Sequence, residues 1–545
     1  MARTALTRYR KRSAVTVALL ASVAMAPIGT YAEQGAPLES HPTQLGRMLE
    51  TANHLPGNGV QVTVGTAQTA PGSGPGTGNQ IYYLGADYAP TDRLTFGIHA
   101  ETFEDPVTSP INGLFPAFGM DTASGSIKYK LIDGDRLDVS VQGAVEFFRF
   151  ETSVFGTDTG TDAEHIIGSI KAPISYAMSD ELQFHLTPGV SFFPDDLNGT
   201  PFYGTVGYVG AGLSYRPNER IAGYAAVNVP VAGGNTVSST GTITTTPVWV
   251  VGGRYNATPK IGVDVYATNG IGTTPTTGIL SYWPSGDEIL YGARIVWTPG
   301  EGPGYRPSYR NLSPVTPRQR SLQHDGFTLS SADTHEPGTF AGTAWYGTCD
   351  NYGAGIILAP DQDGQMEGYI EQYSNDGSVP ATLLPSQNER YMFGLKLRLM
   401  DQNNGDPFTF SARVLGGRDF GTNTPGPGVL FAEGIASMKL NENLAVTVNP
   451  KIAAFGNTEI YGLGLGANFE VFDGLEMIGE VTPTDGGNGT VWAAGVRYNL
   501  GNSGFSVDAS ASNAIGRNGL GTLIAQDDIK FALGVTKTFD LSGWR

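Results

Sequence analysis

The sequence predicts an all-β fold: a transmembrane antiparallel β-barrel, internally duplicated, as two barrels of about twelve strands or, alternatively, one of about 24. Three observations carry this. First, apolar residues recur with a period of two. In 529–539, IKFALGVTKTF, Ile529, Phe531, Leu533, Val535 and Phe539 share one face, and Lys530, Ala532, Gly534, Thr536 and Thr538 the other. Residues 391–399 set Tyr391, Phe393, Leu395, Leu397 and Leu399 against Met392, Gly394, Lys396 and Arg398. An apolar face backed by cations fits a strand between lipid and water. Second, no apolar run long enough for a membrane helix follows the N-terminus. Third, the chain repeats itself. VWVVGGRYN at 248–256 returns as VWAAGVRYN at 491–499, and Asn269-Gly270-Ile271-Gly272 returns as Asn513-Ala514-Ile515-Gly516. Upstream, Pro188, Gly210, Gly212 and Pro230 find counterparts in Pro450, Gly464, Gly466 and Pro483.

From the start of the chain, Arg3, Arg8, Arg10, Lys11 and Arg12 precede an apolar stretch and Thr30-Tyr31-Ala32, the pattern of a secretory signal peptide spanning 1–32. Loss of those five cations takes the formal charge from −18 to −23, which disfavours nucleic acid as a partner. The single cysteine, Cys349, excludes an intramolecular disulfide. Residues 33–58 read as a polar periplasmic lead-in, with a short helix expected around Leu45–Asn53. Strands are expected near 59–69, 79–88, 93–103, 123–132, 136–150, 164–177, 181–193, 203–215, 220–230, 246–256, 261–269 and 286–298, which together make the first barrel repeat, 59–298. Connections there alternate between long and short, as outer loops and periplasmic turns do; Asp133-Gly134 and Asp473-Gly474 are tight-turn pairs. Residues 299–325, rich in proline and arginine, read as a periplasmic linker. The second repeat, 326–545, has expected strands near 338–347, 352–359, 365–373, 389–400, 406–415, 428–438, 444–454, 459–470, 475–482, 490–499, 505–513 and 527–539. A single wide barrel would need a plug, and no plug domain is legible.

Gly534 and Phe539 resemble the C-terminal assembly signal of porin-like outer-membrane proteins, although Lys537 departs from it and residues follow Phe539. The resemblance implies the outer membrane of a Gram-negative-type bacterium, with its lipids and its barrel-assembly machinery as partners. The tandem layout, with LKLRLMDQNNGDPFTFSARVLGGRDFGT at 395–422, is similar to the YjbH-type exopolysaccharide-export family, which would imply a polysaccharide as cargo.

No nucleotide loop, zinc-protease motif or nucleophile elbow is present, so no catalytic, cofactor or metal residues are assigned. His99, Glu101 and His185 fall on lumen faces, and DQDGQME at 361–367 lacks the spacing of a calcium loop. The charge pattern is more informative. Lys128, Lys130, Lys396, Arg398 and Arg413 form a lumen ladder with no local partner in the sequence. Glu470, Glu476 and Glu480 line a different wall. Arg254 with Asp264, and Arg497 with Asp508, are expected as structural cross-strand pairs. Opposed basic and acidic walls would orient a polar solute, or they would neutralise each other and fill the lumen. The expected function is passive passage of small hydrophilic solutes or ions, with exopolysaccharide secretion and lipid modification as alternatives.

Overall fold

A computed structural model of the chain describes residues 41–69, 81–104, 107–116, 118–156, 164–299, 325–374, 376–383, 389–419, 428–455, 458–500 and 503–541. The expected signal peptide, residues 33–40 of the lead-in and 300–324 of the linker lie outside the described residues.

Strands β1 to β12 are Gly59–Thr69, Ile81–Thr91, Leu94–Glu104, Phe118–Asp133, Leu137–Thr152, Glu164–Lys171 continued by Ile174–Ala177, Leu182–Phe192, Thr205–Asn218, Ile221–Ala232, Val248–Asn256, Ile261–Thr268 and Leu290–Trp297. Each pairs antiparallel with the next. β12 then pairs with β1, Leu290 opposite Thr69 and Trp297 opposite Val62, which closes a 12-stranded barrel. Strands β13 to β24 are Thr339–Gly347, Tyr352–Asp361, Gly364–Gln372, Glu389–Met400, Thr409–Asp419, Val429–Lys439, Leu444–Phe455, Thr458–Phe472, Leu475–Thr482, Val491–Asn499, Phe505–Ala514 and Ala525–Asp540. They close in the same way, Thr339 opposite Asp540 and Gly347 opposite Ala532. Closure lies within each half, so the single 24-stranded alternative is excluded.

The pleat sorts the side chains as the period of two requires. On β24, Ile529, Phe531 (62%) and Leu533 (68%) are exposed, while the intervening Lys530 and Ala532 are buried. On β4, Ile127, Tyr129 and Leu131 face out and Ser126 and Lys128 face in. On β16 the expected outward pair Leu395 and Leu397 is buried, as are Lys396 and Arg398. Exposed apolar residues recur over both barrels, among them Val145, Ile166, Val265, Val496 and Met477. A soluble chain rarely exposes more than a few hundred Å² of contiguous apolar surface; here the apolar outside is the lipid face. The protein is an outer-membrane β-barrel protein.

Two local expectations are corrected. The strand expected at 164–177 is broken at Ala172-Pro173, because proline cannot donate to the ladder; Pro173 keeps its carbonyl in use through Ser140 N–H. The helix expected around Leu45–Asn53 is not formed. Gly46 and Arg47 take left-handed backbone angles, and Gln44–Leu45 folds back on Leu49–Glu50 as a short antiparallel pair. The backbone groups a helix would use internally are instead divided between this pair and the barrel wall.

Because each barrel closes on itself, residues 325–545 behind a signal peptide should insert alone as a heat-modifiable barrel. Gel mobility with and without boiling reads this, and failure of that half to insert while the full chain does would contradict it.

Candidate functional site in the two lumens

A closed ladder uses up the wall's main-chain groups, so whatever enters the lumen must be met by wall side chains. In the first barrel that occupant is the described lead-in, which runs inside the lumen as a plug. Lys128 donates to the Asn53 carbonyl (2.8 Å) and lies 3.7 Å from Glu50. Thr187 donates to the Glu50 carbonyl (2.8 Å) and Asn228 to that of Met48 (3.0 Å). Ala52 N–H donates to Ser175 Oγ (2.8 Å), and its carbonyl accepts from Ser140 Oγ (3.3 Å). Leu45 and Leu49, both buried, press on β8 at Gly210 and Gly212. A Cβ at Gly210 would sit 2.3 Å from Leu49 Cδ1, and one at Gly212 2.8 Å from Leu45 Cδ1.

The second barrel repeats most of this arrangement with the end of the linker and the residues after it. Ala332 N–H donates to Ser437 Oγ (2.8 Å), and Ser411 Oγ donates to its carbonyl. Asn449 serves Ser330, Lys396 serves Ser331 (3.3 Å) and Lys451 serves Thr328 (2.6 Å), each donating to the carbonyl. Glu480 accepts the N–H groups of Phe327 and Thr328, both at 2.8 Å. Leu329 fills the notch left by Gly464 and Gly466, where a Cβ would come within 2.4 and 2.9 Å of it. The duplicated glycines of the sequence are thus the docking notches for Leu49 and Leu329.

From the other end, the last loop of each barrel folds inward. In the first, Trp249 N–H donates to Asn269 Oδ1 (2.8 Å) and fixes the base of the loop, and Glu101 on β3 accepts from Thr273 N–H and Oγ1 and from Thr277 Oγ1. Glu146 holds Thr274 and Thr276. Trp283 seats among Phe118, Phe150 and Phe155 and donates to Tyr203 Oη at 2.8 Å. In the second, Trp492 donates to Asn513, and Glu371 on β15 accepts from Arg517 and Asn518 N–H. Loop and plug meet. Arg47 Nε donates to the Thr273 carbonyl (2.9 Å), and Lys451 reaches both Thr522 Oγ1 (3.1 Å) and the Thr328 carbonyl.

The charge ladder therefore has partners, contrary to the sequence reading. Lys130 meets Asp133 (2.9 Å) and Asp138 (3.7 Å). Lys396 meets Asp325 (3.4 Å), a plug residue. Arg398 meets Asp401 (3.2 Å) and Asp363 (3.9 Å). Arg413 meets Glu367 (2.7 Å) and Glu433 (3.0 Å). Glu470 accepts from Gly474 N–H, and Glu476 accepts from Asn468 and Asn499.

Arg254 and Asp264 are opposite one another and ion-paired, with Arg294 on β12 as a second cation on the same carboxylate. Arg497 and Asp508 are also opposite, but the expected pair between them is replaced. Asp508 takes Arg517 (2.6 Å) from the infolded loop, and Arg497 donates to the carbonyls of Asp325 and Gly326. The cause is on the last strand. Asp264 faces Arg294, whereas Asp508 faces Gly534, where a Cβ would lie 2.7 Å from Arg517 Nη1. The absent side chain admits the loop arginine.

Histidines collect around the first plug. His54 contacts Ser140 (3.0 Å) and Thr95 (3.2 Å), His41 contacts Ser214 (3.0 Å), and Arg47 contacts His99 (2.7 Å). Burial, with Lys128 and Lys130 nearby, lowers the His54 pKa to about 3. Burial likewise lowers that of His41. Both are neutral at neutral pH.

No protein-family model and no curated protein matches the sequence, so the YjbH-type likeness finds no support there. Among solved structures, the NanC porin aligns over 44% of this chain and 98% of its own at 11% identity and TM-score 0.30. The KdgM porin aligns over 44% and 98% at 8% identity and 0.27. The siderophore receptor PirA from Pseudomonas aeruginosa aligns over 89% and 81% at 9% identity and 0.25. Such scores carry nothing about substrate, and the barrel architecture rests on the strand pairings.

Two outcomes follow for the plugs. Emptying a buried leucine site costs about 2–5 kcal/mol, against about 0.5–1.5 kcal/mol for one hydrogen bond. Leu329→Ala should therefore loosen its plug more than Ser437→Ala, read as faster amide exchange at residues 326–333. Equal exchange in the two variants would contradict this. Acid should loosen the first plug. A released histidine titrates near its ordinary value of about 6.5 and the docked His54 near 3, so docking is unperturbed above pH 6.5 and weakens as pH falls towards 3. Exchange at residues 41–55, corrected for intrinsic rate, should rise between pH 7 and 4.5; no rise would refute it.

Proposed function

We propose that the protein is a gated outer-membrane channel for small hydrophilic solutes or ions, closed in this conformation by its own plug segments and infolded loops. One observation carries the reading: cations on the lumen wall, Lys128 and Lys396, are met by carbonyls of the plug segments, and Lys451 divides itself between a plug carbonyl and Glu433 on the wall. Withdrawal of those segments would leave a polar, cationic wall able to hold water. A wall built only as a sealed core would be better served by apolar packing, since a buried ion pair seldom gains over a well-packed hydrophobic substitute.

A second reading, a permanently sealed scaffold, is favoured by Arg398 and Arg413, whose carboxylate partners lie on the wall and its turns rather than on the plugs. Planar-bilayer recording separates the two. The intact chain should conduct little, and deletion of residues 33–55 together with replacement of the infolded loop, residues 271–286, by a short Gly/Ser turn should open stable channels. If the deleted protein assembles as a heat-modifiable barrel and never conducts, the channel reading falls.

Ion preference should follow the plug-freed cations. With residues 325–333 replaced by a Gly/Ser stretch, Lys396→Glu with Lys451→Glu should move the reversal potential towards cations at low salt. The shift should fade as salt rises, because screening length is only about 8 Å at physiological ionic strength. Arg413→Glu should act mainly on folding, since it leaves Glu367 and Glu433 buried without their cation. A larger reversal shift from Arg413→Glu than from the lysine pair would overturn this assignment.

A further inference from the structure

The two plugs differ at most side chains, Met48-Leu49-Glu50-Thr51-Ala52-Asn53 against Thr328-Leu329-Ser330-Ser331-Ala332-Asp333, yet equivalent strands hold them. What the wall addresses is the main chain. Serines on β5 and β6, and on β17 and β18, bracket the N–H and carbonyl of Ala52 and Ala332. Thr187 on β7 and Asn449 on β19 take the carbonyl two residues earlier. A lysine on β4 or β16 takes a carbonyl beside the alanine. The wall also meets side chains at equivalent positions, Lys128 at Glu50 and Arg413 at Ser330, Gln183 at Asn53 and Lys439 at Asp333, but their chemistry differs; what both plugs keep among these positions is a leucine in the double-glycine notch and, three residues on, an alanine between the serines.

This is how a peptide site works when affinity comes from main-chain hydrogen bonds and specificity from a pocket for one anchor. We infer that each lumen is a binding site for an extended oligopeptide of the form Leu-x-x-Ala, which the plug occupies intramolecularly. The inference rests on the plug being displaceable, as in the function proposed above. A tethered plug has an effective concentration of the order of millimolar, so a free peptide competes only once the tether is cut. Gly57-Asn58 offers the place: it follows the plug, and Asn58 is exposed with a left-handed backbone angle.

The test inserts a protease site between Gly57 and Asn58 of the full chain. The assembled protein is cleaved in detergent, and a fluorescein-labelled peptide of residues 41–56 is titrated in. Saturable binding is expected, with the plug displaced. Methylation of the amide nitrogen corresponding to Ala52, or Leu49→Asp, should weaken binding at least tenfold. An unlabelled peptide of residues 325–337 should compete, because it presents the same main-chain atoms, leucine and alanine. If cleavage leaves the plug too tightly held to exchange, the variant lacking residues 33–55 is titrated instead. No saturable binding in either protein, or equal binding by the N-methylated peptide, would overturn the inference. Bilayer current reads the channel proposal separately: a conducting barrel that binds no peptide sinks this inference alone, and a peptide-binding barrel that never conducts sinks the channel alone.

Discussion

A barrel that closes on itself spends most main-chain donors and acceptors of its wall on neighbouring strands, and an extended segment inside it still has its own to satisfy. An unmatched buried main-chain group costs about as much as a lost hydrogen bond. This constraint explains why the inward faces of β5–β7 and β17–β19 carry serine, threonine, asparagine and lysine where a simple core would carry valine. It also explains the placement of Glu480, which accepts two N–H groups from one turn of the plug. Gly210 and Gly212 make room for Leu49 with Leu45 beside it, as Gly464 and Gly466 do for Leu329.

The same constraint ties the ends of each lumen together. Glu101 and Glu371 occupy equivalent third strands and bind the main chain of the infolded loops, whose bases are set by Asn269 and Asn513. The barrels then diverge in chemistry. The first closes its loop end with an aromatic cluster about Trp283 and surrounds its plug with histidines. The second uses aliphatic residues, Ile515, Leu520, Leu523 and Ile524, and a network of Glu367, Arg413, Glu433 and Lys451. A common scaffold of main-chain recognition has been kept while the titratable groups around it changed.

Much of the wall was legible in the sequence because a period of two and a repeated motif are local signals. Strand identity, the inward turn of Lys128, Lys396, Arg413 and Glu480, and the opposition of Arg254 to Asp264 all follow from alternation and register. The plugs were not legible. Their groups bond to residues about 75 to 180 positions away, so nothing local marks Leu45–Asn53 as extended, and a polar, helix-compatible composition pointed the wrong way. The partners of the ladder were hidden for the same reason: Glu367 and Glu433 reach Arg413 only once neighbouring strands are in register. One local signal of the plugs does lie in the sequence. The glycine pairs recur in both halves, and a repeated notch on an inward face implies a repeated knob, which Leu49 and Leu329 supply.

The account depends on those knobs sitting in those notches, and a disulfide reads that contact directly. In a chain with Cys349→Ser, Leu329→Cys and Gly464→Cys should cross-link under mild oxidation of the assembled protein in its membrane, while Leu329→Cys with Gly534→Cys should not. A bond requires neighbouring Cβ atoms, and the docked plug sets the two positions side by side, with Leu329 Cδ2 2.4 Å from where a Cβ at Gly464 would lie. Free thiols at Leu329→Cys and Gly464→Cys, both labelled by a membrane-impermeant reagent, would mean that the lumen is not occupied by the plug and would contradict the account at its root.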